Sequence, residues 1–110
     1  MVAHTRELTM QISKEFNRFT KYLPKIKCAA FCGGVPIERH TAILAEEKPY
    51  VVCGTPGRLK ELTVKKLIDL STVKHFVIDE CDRVLCEMDM RNQVQQVFVA
   101  TPRKKQVMMF

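Results

Sequence analysis

"HFVIDECDRVLCEMD", residues 75–89, passes from a short apolar segment straight into Asp79, Glu80 and Asp82, three acids within four residues around Cys81. The apolar segment has the length of a buried strand and is too short for a helix. The acids after it admit three chemistries. They suit a metal-and-phosphate site, a zinc or redox cysteine cluster, or a solvated turn at a helix start, where acids are favoured.

Comparable segments recur along the chain. "KCAAF" (27–31), "YVVC" (50–53) and "QVMMF" (106–110) read as strands beside "HFVI" (75–78), and "MVA" (1–3) as the end of another. Helical patterns separate them. In "TRELTMQISKEFNRFTKYL", Leu8, Ile12, Phe16, Phe19 and Leu23 fall at steps of 4, 4, 3 and 4, a single buried stripe stopped by Pro24. Pro36 suits the first turn of a helix on which Ile37 and Leu44 share a face. "GTPGR" leads into a helical turn through Leu59 and Leu62, and "VKKLIDL" (64–70) reads as a short helix or turn. Met90, Val94, Val97 and Phe98 share one face of a last helix, and Met108, Met109 and Phe110 read as a buried strand. His40 and His75 carry no assigned role.

Short strands alternating with helices specify an α/β fold, a parallel sheet with helices on both faces. In such sheets ligands collect at the carboxyl ends of the strands. Thr5 and Arg6, Gly33 and Gly34, Gly54 to Arg58, and Asp79 to Asp82 all follow strands, so they are expected along one edge. All four glycines of the chain sit in two of those loops. They serve either to reverse the chain or to let backbone N–H groups approach a phosphate.

Composition narrows the function. The chain has 110 residues, 46% of them hydrophobic, enough for one domain with a core. No apolar run approaches the ~20 residues of a membrane span and no signal peptide is evident, which predicts a soluble intracellular protein without membrane contact. A net charge of +6 suits a polyanionic partner without requiring one. Five cysteines, an odd number, argue against a disulfide framework. Cys28 with Cys32, and Cys81 with Cys86, are loosely spaced like zinc ligands, but Cys28 and Cys53 lie in strand-like stretches where cysteine packs as a small hydrophobe.

"HTREL" (4–8), "GG" (33–34), "TPGR" (55–58) and "DECD" (79–82), in that order and spacing, resemble motifs of the DEAD-box ATP-dependent RNA helicases. The resemblance spans essentially the whole chain, and "MMF" resembles the approach to that family's "SAT" segment. The histidine before "TREL" and the cysteine of "DECD" resemble the group acting in mRNA splicing and nuclear export, which implies a nuclear protein with export or splicing partners.

The resemblance implies a partial first RecA-like domain over residues 1–110, running from "HTREL" to just before "SAT". It implies that Thr5 and Arg6 contact phosphates of single-stranded RNA with Glu7 ordering the loop. Gly33, Gly34, Thr55, Gly57 and Arg58 would hold further nucleotides through the backbone. Asp79 would bind Mg²⁺ through water, Glu80 would position the water that attacks ATP, and Asp82 would couple this turn to "SAT". The string G-x-x-x-x-G-K-[ST], needed to cradle the phosphates of ATP, does not occur in the 110 residues. The expectation is therefore that the whole protein is the helicase and this chain alone hydrolyses no ATP. By the same comparison the phosphate-loop strand would neighbour "QVMMF", and its absence would bare an apolar edge prone to self-association. Three other readings stay open: a non-catalytic remnant binding RNA or protein, a phospho-acceptor signalling domain, and a zinc module.

Overall fold

Four strands of four residues each form in the places their apolar segments suggest: β1 (Cys28–Phe31), β2 (Val51–Gly54), β3 (His75–Ile78) and β4 (Gln106–Met109). The computed structural model describes all 110 residues. β1 and β2 run parallel with Cys28 opposite Val51 and Phe31 opposite Gly54; β3 and β4 do the same with His75 opposite Gln106 and Ile78 opposite Met109. No ladder joins β2 to β3. Val2 fills the gap, bridging Gly54 on one side and Ile78 on the other, both in parallel sense. The Met1 amino group donates to Val52 O of β2 (2.7 Å), and four backbone–backbone hydrogen bonds complete the join. Val2 N–H donates to Val77 O (2.7 Å), Asp79 N–H to Val2 O (3.0 Å), Ala3 N–H to Gly54 O (3.1 Å) and Gly54 N–H to Met1 O (3.0 Å).

Five helices flank this sheet: α1 (Arg6–Phe19), α2 (Ile37–Glu47), α3 (Pro56–Val64), α4 (Cys81–Cys86) and α5 (Met88–Val99). Strand side chains alternate between two faces, and the core divides accordingly. Ala3, Cys28 and Cys53 pack with Ile12 of α1, and with Leu8 and Phe16 at the margin. Val2, Ala29, Phe31, Phe76 and Ile78 face the other way, against Leu59, Leu62, Val84, Val94 and Val97 of α3, α4 and α5. The parallel sheet covered on both faces is as read from the sequence.

Details differ where helix geometry meets short strands. A four-residue strand is ~13 Å long and a fourteen-residue helix ~21 Å, so α1 overhangs the sheet. Its buried positions are Thr9, Ile12 and Ser13, while Phe19 and Leu23 are 73% and 56% exposed, outside the expected stripe. The side-chain amide of Asn17 ties the overhang down, donating to Cys28 O and accepting from Cys28 N–H, both at 3.1 Å. The stretch 64–70, read as a short helix or turn, takes the second form: α3 ends at Val64 and a turn follows at Lys65 and Lys66, the latter at φ 53°. β4 is less buried than expected, with Met109 and Phe110 59% and 70% exposed.

All five cysteines are free. The thiols of Cys28 and Cys53 lie 3.5 Å apart beneath α1. The Cys53 thiol is pushed up, first by its bond to Cys28, and the Cys28 thiol is drawn down to about 7 by the same bond. No set of three or more His, Cys, Asp or Glu side chains is arranged to hold a metal, and no helix is long and apolar enough to cross a membrane.

Gly54 has no room for a side chain. A Cβ there would stand 2.6 Å from Leu59 Cδ2 and 3.0 Å from Phe31 O, at the residue that pairs with β1 and with Val2. Gly54→Ala is expected to lower the unfolding free energy by about 2 kcal/mol; a denaturant midpoint matching the wild type would contradict this packing.

Candidate functional site

Three of the loops at the carboxyl edge meet around two arginines. Thr5 ends the first strand segment and caps α1: its Oγ1 accepts from Leu8 N–H at 3.1 Å, and Thr9 Oγ1 donates back to Thr5 O at 2.8 Å. The cap fixes the entry of α1, so Arg6 projects from its first turn with Glu7 exposed beside it. Arg6 lies against the glycine loop, where a Cβ on Gly34 would come within 2.7 Å of Arg6 Nη1. Gly34 also sits at φ +80°, a conformation side chains rarely adopt. Thr55 N–H donates to Phe31 O at 3.1 Å, which places the "TPGR" loop beside the end of β1. Pro56 then opens α3 at its first position.

Arg58 is held on two sides. Its Nε lies 3.0 Å from Glu61 Oε2 and its Nη1 2.7 Å from His40 Nδ1, leaving its side chain 9% exposed. His40 is buried and meets Phe31 edge-on, centroids 5.1 Å apart. Burial and then the neighbouring Arg58 hold its imidazole below the ordinary value, against a smaller pull from Glu61. Behind both arginines, burial pushes the Cys32 thiol up, while a hydrogen bond with Thr9 and the charges of Arg6 and Arg58 oppose the rise. One thiol thus feels both guanidinium groups. His40 was missed from sequence, although it lies on the face shared by Ile37 and Leu44, three residues beyond one and four before the other.

Gly33 and Gly57 differ from the other two glycines. Neither has positive φ; a Cβ on Gly33 would meet nothing within 4 Å, and one on Gly57 only Gln93 at 3.4 Å. Nothing inside the chain requires glycine there. An outside group approaching the backbone would.

The acid turn lies at the end of β3, pinned from both sides. Asp79 N–H donates to Val2 O (3.0 Å), and Cys81 N–H to Phe110 O (2.8 Å). Asp79 Oδ1 accepts from Glu80 N–H at 3.0 Å. Glu80 takes a left-handed conformation, φ 50° and ψ 49°, and starts α4, a helix too short for periodicity to reveal. His4 links the turn to the first loop, with Nδ1 3.9 Å from Glu80 Oε2 and without any hydrogen-bond partner. Asp82 is exposed in the first turn of α4, Cys81 is partly buried against the core, and Cys86 is exposed. A lone Asp at a strand end suits Mg²⁺, which keeps most of its waters and takes one or two carboxylates together with substrate phosphates. The residues present fit that ion.

The family described as DEAD/DEAH box helicase matches residues 1–110. The chain belongs to the DEAD/DEAH box helicase family. The chain is 54% identical over 112 residues to ATP-dependent RNA helicase SUB2 of Saccharomyces cerevisiae, covering 100% of this chain and 25% of that protein. Among solved structures, Mss116p bound to ssRNA and AMP-PNP superposes with a TM-score of 0.87 at 26% identity, covering 99% of this chain and 23% of that one. The yeast DEAD-box splicing factor Prp28 gives a TM-score of 0.85 at 28% identity over 99% of this chain and 26% of that one. These similarities identify the α/β architecture as that of a RecA-like DEAD-box helicase domain. The chain spans about a quarter of the length of the curated DEAD-box relatives it matches.

A non-glycine residue at positive φ stores about 1 kcal/mol of strain. Glu80→Gly is therefore expected to raise the thermal midpoint by a few degrees, although it deletes the carboxylate nearest His4. A lower midpoint, measured by calorimetry, would show that Glu80 stabilises the turn through its side chain.

Proposed function

We propose that this chain is the RNA-gripping and Mg²⁺-facing part of the first RecA-like domain of an ATP-dependent RNA helicase. Thr5, Arg6, Gly33, Gly34, Thr55, Gly57 and Arg58 hold the sugar-phosphate backbone of single-stranded RNA, with Glu7 ordering the first loop. The observation that carries this reading is the meeting of three loops around Arg6 and Arg58, beside Gly33, which has open space above it. Backbone gripping gives affinity with little sequence preference. Mss116p, bound to ssRNA and AMP-PNP, supports the same class of ligands here.

In the whole protein, ATP with Mg²⁺ supplies the transferable phosphoryl group and its charge neutralisation. Asp79 would hold the metal through water, Glu80 would orient the attacking water, and Asp82 would couple the turn to the family's "SAT" segment. Hydrolysis belongs to the whole protein, because no Gly-Lys phosphate loop lies within these residues. The histidine before "TREL", the cysteine of "DECD" and the likeness to the splicing factor Prp28 support a place in mRNA splicing and export, and hence in the nucleus.

RNA binding is tested by fluorescence anisotropy with a labelled oligouridylate at several salt concentrations. Arg6→Ala is expected to weaken binding about fivefold and to flatten the log–log salt slope by about 0.7, the value for one phosphate contact on a single strand. An unchanged affinity and slope would remove Arg6 from the interface.

β4 adds a second behaviour. Gln106 N–H and Phe110 N–H point toward β3, bonding to Lys74 O and Ile78 O, so alternation turns the backbone groups of Val107 and Met109 outward. With Val107 43% exposed and Met109 59% exposed, this edge is a template for pairing. The chain in isolation is expected to self-associate with rising concentration. A monomeric sedimentation profile at tens of micromolar would refute this.

A further inference from the structure

Arg58 has little freedom, and its restraint has two unequal parts. Glu61 is shared, taking Arg58 Nε at 3.0 Å and Lys65 Nζ at 2.8 Å, and its side chain is 36% exposed. His40 is 2% exposed, locked edge-on against Phe31, and meets Arg58 Nη1 at 2.7 Å. An arginine has donors only. The short contact therefore needs a bare lone pair on Nδ1, with the imidazole neutral and its hydrogen on Nε2.

We propose that His40 is a positioning residue for the RNA grip: its neutral imidazole fixes the Arg58 guanidinium at the loop edge, and a proton on Nδ1 releases it. This rests on the RNA-binding reading above. Protonation would set two donors and two positive charges 2.7 Å apart, an arrangement that cannot persist. The charged groups facing His40 are Arg58 and Glu61, both from α3. β1 presents the uncharged ring of Phe31, followed by Cys32, whose thiol burial keeps protonated. Glu61 alone would favour the proton, while burial and Arg58 oppose it, so the imidazole is neutral near pH 7 and the grip is set.

The test uses the full chain, labelled oligouridylate anisotropy, and variants at His40 and Arg58. His40→Ala is expected to weaken binding about fivefold. Arg58→Ala should weaken it at least as much, and the double variant no further than Arg58→Ala, because the two residues act as one unit. His40→Asn places an amide oxygen near the position of Nδ1 and cannot titrate. It should keep most of the affinity and lack the loss that the wild type shows, relative to it, as the pH falls below the ordinary imidazole range.

If Arg58→Ala weakens binding while a folded His40→Ala does not, or binds more tightly, the positioning role is overturned and the RNA grip stands. If Arg58→Ala leaves binding unchanged, Arg58 takes no part in the grip and the role of His40 falls with it. Circular dichroism reports folding of each variant; should His40→Ala fail to fold, the affinity and pH profile of His40→Asn decide.

Discussion

Four backbone hydrogen bonds around Val2 carry the architecture. They join two parallel pairs that otherwise have no ladder between them, and a two-stranded pair alone is marginal in water. With the join in place, β1, β2, residues 1–3, β3 and β4 form one parallel surface with its carboxyl ends on one edge. Thr5, Gly33, Thr55 and Asp79 each follow a strand end by a residue or two, so one ordering event aligns every functional loop. Val2 and Ala3 also point to opposite cores, which ties the two helical layers to the same few atoms.

The arginines at this edge are prepared in different ways. Arg6 is exposed and is placed by the cap of α1 and by the absence of a side chain on Gly34. Arg58 is nearly covered and held by named partners. The glycines divide as well. Gly54 exists for packing and Gly34 for its backbone conformation, whereas Gly33 has open space above it and Gly57 only the side chain of Gln93 nearby.

Strand positions were legible because a run such as "HFVI" has one sensible length and is bounded by charge, and β3 occupies those four residues. The order of loops was legible for the same reason, since parallel topology puts every strand end on one edge. What was hidden depended on tertiary contacts. The periodicity of Phe19 and Leu23 continues past the sheet, and no pattern in the helix says where its support ends. His40 sits where an apolar residue would fit, and only the fold brings Arg58 to it. The left-handed turn at Glu80 is imposed by bonds from Asp79 and Cys81 to residues far away in sequence, Val2 and Phe110. Exposure along β4 likewise follows from which neighbours flank it, a property of the sheet rather than of "QVMMF".

The register of the central segment has an evolutionary corollary. Only Ala3 and His4 separate Val2, paired on both sides, from Thr5, which caps α1. A slip of one position would exchange Val2 and Ala3 between the two cores and shift the guanidinium of Arg6 by about 3.3 Å. Insertions and deletions can accumulate in the exposed connections, near residues 20–26 and 65–73, where few buried groups are at stake. Between Ala3 and Arg6 the chain can vary only by substitution.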